Sequence, residues 1–139
     1  MYCSLEDLKQ QFPEDKILEL ADDEGQGEFT DDVLAKIDFA IKQAGQEIDA
    51  YVAVKYPVPL EPVPDILNKI AIDIASYNLF TRRGIEEDEK AILNRYKNAV
   101  YLLKMIAEGK LELSAGEKAQ NIVYKTRKKA FGYEFERQY

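Results

Sequence analysis

The sequence predicts an all-α fold: a small helical bundle of three long helices, with short N-terminal helices before them and an extended C-terminal arm after them. Three observations carry that expectation. Apolar residues recur at three- and four-residue steps in three long segments, the period of a helix that buries one face. Prolines stand between these segments, four of the five falling between Pro57 and Pro64. Hydroxyl residues and glycines occupy the places where helices start and stop.

The first element opens at Ser4-Leu5-Glu6-Asp7, where a hydroxyl at the N-cap and a carboxylate three residues on form a capping-box pattern. Phe12-Pro13 breaks that helix, and Pro13 suits the first position of a second short one carrying Ile17, Leu18 and Leu20. An acidic glycine loop, Asp22 to Glu28, follows. Thr30 is a suitable N-cap for the first long helix, with Asp31 and Asp32 at its positive end. Its apolar stripe runs through Val33, Leu34, Ile37, Ile41, Ala44, Ile48, Tyr51 and Val52, to about Lys55. Gly45 within it predicts close approach of another helix.

The segment Tyr56 to Pro64, with Pro57 and Pro59, is expected to be extended and stiff, and Pro64 can open the next helix. That helix, roughly Asp65 to Arg83, is apolar on more than one face and is expected to be central. Arg82-Arg83-Gly84 would end it, with cations at the negative end of the dipole and a glycine cap. The acidic run Glu86-Glu87-Asp88-Glu89 is expected to start the last helix, whose stripe is Ile92, Tyr96, Ala99, Leu103 and Ile106 and whose end is Gly109. The pattern divides the chain into a helical domain, 1–109, and an arm, 110–139.

A chain of 139 residues holds one domain with a real core. It has no histidine, which excludes Ser-His-Asp and Cys-His nucleophiles, a histidine general base and histidine-bearing zinc sites. The single cysteine, Cys3, excludes an internal disulfide framework and has no histidine to activate it. The expectation is a protein that is not an enzyme and carries no cofactor. The N-terminus has no basic start or apolar stretch, and Ile66 to Phe80 is too short and too polar to span a bilayer. A soluble, cytoplasmic protein without a membrane partner is expected.

Charge is unevenly spread. The total is −7, but residues 1–66 hold 5 basic and 16 acidic residues, a net of −11, while residues 67–139 hold 14 basic and 10 acidic ones, a net of +4.

The candidate chemistry is sparse. With Asp22 as position one, the loop places Glu24 and Gln26 at calcium-ligand spacing, but Val33 stands where a bidentate glutamate is required. The residues favour an acidic turn with no metal. Asp73 lies within the most apolar helix and requires a partner, for which Lys69 and Tyr77 one turn away and Arg95 on the next helix are candidates. The pairs Asp22/Asp23, Asp31/Asp32 and Glu86/Glu87 fall where caps and helix dipoles favour acids, so no catalytic pair is read from them. The tail combines Lys125, Arg127, Lys128 and Lys129 with Phe131, Tyr133 and Phe135. Five of the 15 aromatics lie there, which favours a docking arm over a solvated, partly disordered terminus.

One block carries a family likeness. Tyr51-Val52-Ala53-Val54-Lys55-Tyr56-Pro57-Val58-Pro59-Leu60, then Val63-Pro64, Ala71-Ile72-Asp73-Ile74-Ala75-Ser76-Tyr77-Asn78-Leu79 and Arg82-Arg83, resembles small proteins of Mu-like phages and prophages encoded among the head and head-to-tail genes. Met1-Tyr2, Leu5-Glu6-Asp7-Leu8 and the Asp22–Gly27 loop fit the same pattern, so the resemblance spans roughly residues 1–108.

The resemblance implies a helical head-tail connector, or adaptor, that forms a homo-oligomeric ring, docks on the portal and meets neck or tail proteins. It implies a cytoplasmic protein during assembly and a place in the virion neck afterwards. On that reading Tyr56 to Pro64 is a rigid spacer between helices, Asp73, Arg82 and Arg83 are structural, and the tail engages a neighbour. DNA would be met in passage, past an acidic surface to which it does not stick, or weakly through the tail. The alternative is a non-enzymatic nucleic-acid-binding module that uses the basic tail.

Overall fold

The computed structural model describes residues 1–86 and 89–113. Five helices make up the fold among these residues: α1 (Leu5–Gln11), α2 (Glu14–Ala21), α3 (Asp31–Val52), α4 (Asp65–Thr81) and α5 (Lys90–Ala107). No described residue is in a strand. The basic-aromatic tail residues Lys125, Arg127, Lys128, Lys129, Phe131, Tyr133 and Phe135 lie outside the described residues, as do Glu87 and Asp88.

The short helices form where their caps direct them. Ser4 Oγ accepts from the Asp7 backbone N–H at 3.3 Å, and the Asp7 carboxylate accepts from the Ser4 N–H at 2.9 Å, so the capping box is reciprocal. Thr30 Oγ1 accepts from the Val33 N–H at the start of α3. Pro13 and Pro64 sit one position earlier than the sequence suggests. Each is an N-cap with extended ψ, 155° and 145°, and the helices begin at Glu14 and Asp65.

The core is a three-helix bundle in which α4 packs most extensively, against both α3 and α5, while α3 and α5 also meet each other. Nine of the 17 residues of α4 are buried, against four of 18 in α5, which is the physical content of its near-uniform apolarity. Ile37, Ile41, Ile48, Ile70, Ile74, Leu103 and Ile106 form the fully buried centre. Asn78 Nδ2 crosses from α4 to donate to the Ala40 carbonyl at 3.1 Å. The short helices close one side, where the Phe12 ring meets Phe80 at 5.6 Å and Lys16 reaches Glu89 at 3.1 Å.

Three expectations change in detail, and one holds. Gly45 does not receive a neighbouring helix: a Cβ there would touch the Tyr2 ring at 3.7 Å, an ordinary contact with the N-terminal segment. Residues 53–64 are not straight; α3 ends at Val52, turns follow, and the Val58–Pro59 and Glu61–Pro62 bonds are cis. Of the acidic run, Glu89 stands at the N-cap of α5 and not inside its first turn. The helix starts at Lys90, and the Glu89 side chain is engaged by the Glu86 backbone N–H and by Lys16. Gly109, at φ 78°, ends α5 as the pattern requires, with the Lys110 N–H donating back to the Met105 carbonyl at 2.9 Å.

Candidate interaction surfaces

The acidic loop after α2 is held by its own carboxylates. Asp22 Oδ2 accepts from the Gly27 N–H at 2.7 Å, and this hydrogen bond holds the Asp22 carboxyl below the usual carboxylate range. Asp23 accepts from three cations: Lys36 at 2.7 Å, Arg82 at 2.8 Å and Arg83 at 3.1 Å. The Arg82 contact, followed by that of Lys36, drives the Asp23 carboxyl far below its ordinary value. Arg82 also donates to the Leu20 carbonyl, closing the end of α2. Arg82 and Arg83 therefore clamp the loop between α2 and α3 onto the end of α4, beside the glycine turn at Gly84, φ 84°. Glu24 and Gln26 interact with each other at 3.2 Å. Among the described residues no three acidic or cysteine side chains converge in a way that could hold a metal ion.

The proline segment is tied to the body at Tyr56, and Leu60 and Val63 pack against the core. The Tyr56 hydroxyl accepts from the Leu113 backbone N–H at 3.0 Å, joining the connection between α3 and α4 to the chain leaving α5. Leu113 is itself buried, so the helical body extends past Gly109 to at least this position.

Asp73 is 5% exposed, and Lys69 Nζ lies 2.9 Å from its Oδ2 on the adjacent turn. Arg95 does not pair with it. That guanidinium donates to Gln11 Oε1 at 3.3 Å, across a cleft of about 350 Å³ lined by both residues, Asn68, Lys69, Ile72 and Asp73. With one carboxylate and two cations, the cleft has no second acid to work with Asp73.

Two tyrosines anchor the seams. Tyr2 donates its hydroxyl to Asp49, and burial together with this acceptor pushes its pKa up to about 12. Tyr96 donates to Glu47 at 2.9 Å and stacks on Tyr77 at 4.0 Å; burial, then the Glu47 contact, raises it to about 12 as well. Cys3 is buried, and that burial pushes its thiol up to about 12, far from a reactive thiolate.

The outer face of α5 is the feature that the apolar pattern conceals. The helix carries Lys90, Arg95, Lys97 and Lys104 and no acidic residue. Tyr96, Lys97, Val100, Tyr101 and Lys104 line a shallow groove of about 320 Å³ along it, with Tyr101 58% exposed. The signal was present in the sequence: Lys97, Tyr101 and Lys104 repeat at helical steps, offset from the buried stripe.

Residues 2–130 match the family described as bacteriophage Mu, Gp36. The chain belongs to that family. The match runs beyond the described helices and takes in the basic cluster Lys125 to Lys129. Among curated proteins, a Mu-like prophage FluMu protein gp36 of Haemophilus influenzae is 27% identical over 88 residues, which is 63% of this chain. The aligned stretch spans 60% of that relative's own length. No helix among the described residues is long and apolar enough to cross a membrane.

Proposed function

We propose that this member of the Mu Gp36 family is a structural adaptor at the phage head-tail junction, which multimerises and docks on the portal and carries out no catalysis. The observation that carries the reading is the family match over nearly the whole chain. The physical chemistry supports it. The ionisable groups described above serve as clamps and caps, and a chain without histidine lacks the commonest general base. The clamped loop and the tethered proline segment suit a rigid body that presents surfaces. The basic tail would serve as the arm that engages a neighbour. The acidic front, at net −11 over residues 1–66, suits a surface that DNA passes without adhering.

Native mass spectrometry of the full chain, alone and with the portal protein of its own phage, tests this reading. The expected result is a multimer, or a portal complex carrying several copies. A monomer that ignores the portal and instead binds DNA in a salt-sensitive way, with binding lost on removing residues 110–139, would favour the nucleic-acid module.

A further inference from the structure

Two outward faces of the bundle carry opposite charge, and each presents one exposed aromatic ring. On α5 the groove residues Lys97 and Lys104 flank Val100 and Tyr101, and no acid on the helix offsets them. On α3, Asp31, Ala35, Asp38 and Phe39 are all exposed, Phe39 to 60%. Lys42 lies on that face too; Asp32 is paired with Lys36, and Glu47 and Asp49 accept from Tyr96 and Tyr2, so Asp31 and Asp38 are the acids this face presents, against one lysine.

We propose that the cationic Tyr101 face of one copy docks on the acidic Phe39 face of a second copy. This rests on the reading of the chain as a multimerising adaptor and adds the surfaces through which copies meet. An aromatic anchor ringed by charge is the usual anatomy of a contact centre and its rim. Like faces disfavour each other, since two α5 faces bring lysines together and two α3 faces bring aspartates together. The contact is therefore between two different patches, and repeating it generates a ring when the rotation closes. A nucleic acid would also suit Lys97 and Lys104, but it would leave the complementary Phe39 face without a role.

The test uses sedimentation velocity of the full chain, alone and with its portal, for wild type and two charge-reversed variants. One is Lys97→Glu with Lys104→Glu; the other is Ala35→Lys with Asp38→Lys. All four positions are exposed on helices, and circular dichroism verifies that each variant keeps its helicity. Tyr101→Ala and Phe39→Ala serve as neutral controls that remove the anchors without reversing charge. Each variant should weaken self-association by about tenfold or more. Mixing the two charge-reversed chains should restore it, because the altered faces again complement each other. Variants that associate as wild type does overturn the proposal and leave the adaptor reading standing. So does a mixture that fails to recover, or a Lys97/Lys104 variant that loses only DNA binding. A wild type that stays monomeric at every concentration and on the portal overturns both.

Discussion

Asp23 ties three parts of the fold together. One carboxylate receives Lys36, Arg82 and Arg83, and so fastens the α2–α3 loop to the end of α4. Its position next to Asp22 in a run of acids gave no hint of this, because the three cations come from 13, 59 and 60 residues away. The pKa of Asp23 is depressed in the folded protein, so its stabilisation is present above the unfolded value and is lost as pH falls through the folded one. Asp23→Asn should therefore lower the unfolding temperature near neutral pH, and the gap from wild type should shrink as pH drops below about 4. Thermal unfolding across an acid series measures it; a gap independent of pH would remove the electrostatic explanation. Cys3 offers a second check. With its thiol buried and pushed up to about 12, a thiol reagent at neutral pH should label it slowly in the folded protein and fully once denaturant is added. Rapid labelling of the folded chain would mean that the N-terminal segment is not packed as described.

At the level of elements, what is local in sequence was legible. The Ser4 box, the Thr30 cap and the Gly84 and Gly109 stops each depend on a few neighbouring residues, and the chemistry of those residues is sufficient. The centrality of α4 was legible too, because only a helix with neighbours on two sides tolerates apolar residues around so much of its circumference. The start of α5 was misplaced for a physical reason: an acidic run suits a helix N-terminus, but Glu89 is instead held by Lys16 from α2, a tertiary contact. The Arg95 partner was misassigned similarly, since Gln11 of α1 lies within its reach. Tyr56 belongs to the same class, because its partner Leu113 is 57 residues away. Tyr56→Phe leaves the Leu113 N–H without that acceptor and should cost about 1 kcal/mol in chemical denaturation. Hydrogen exchange at the Leu113 amide should speed up with it. An unchanged amide would show that the chain after α5 is held by burial of Leu113 alone.

For the whole molecule, the net charge of −7 is the least informative electrostatic quantity. What matters is where charge is spent internally and where it is left to face outward. In the α2–α3 loop Asp23 is consumed by the clamp and Asp22 by the Gly27 amide, while Lys97 and Lys104 of α5 line an outward groove beside an exposed tyrosine. Such a molecule presents surfaces suited to contact. Membership of the Mu Gp36 family places it among phage proteins, and the adaptor reading gives those surfaces a purpose. The most direct test is the native mass of the portal complex assembled with the full chain. The adaptor reading predicts a complex heavier than the bare portal by a whole multiple of 15.9 kDa. A bare portal beside a free 15.9 kDa monomer would contradict it.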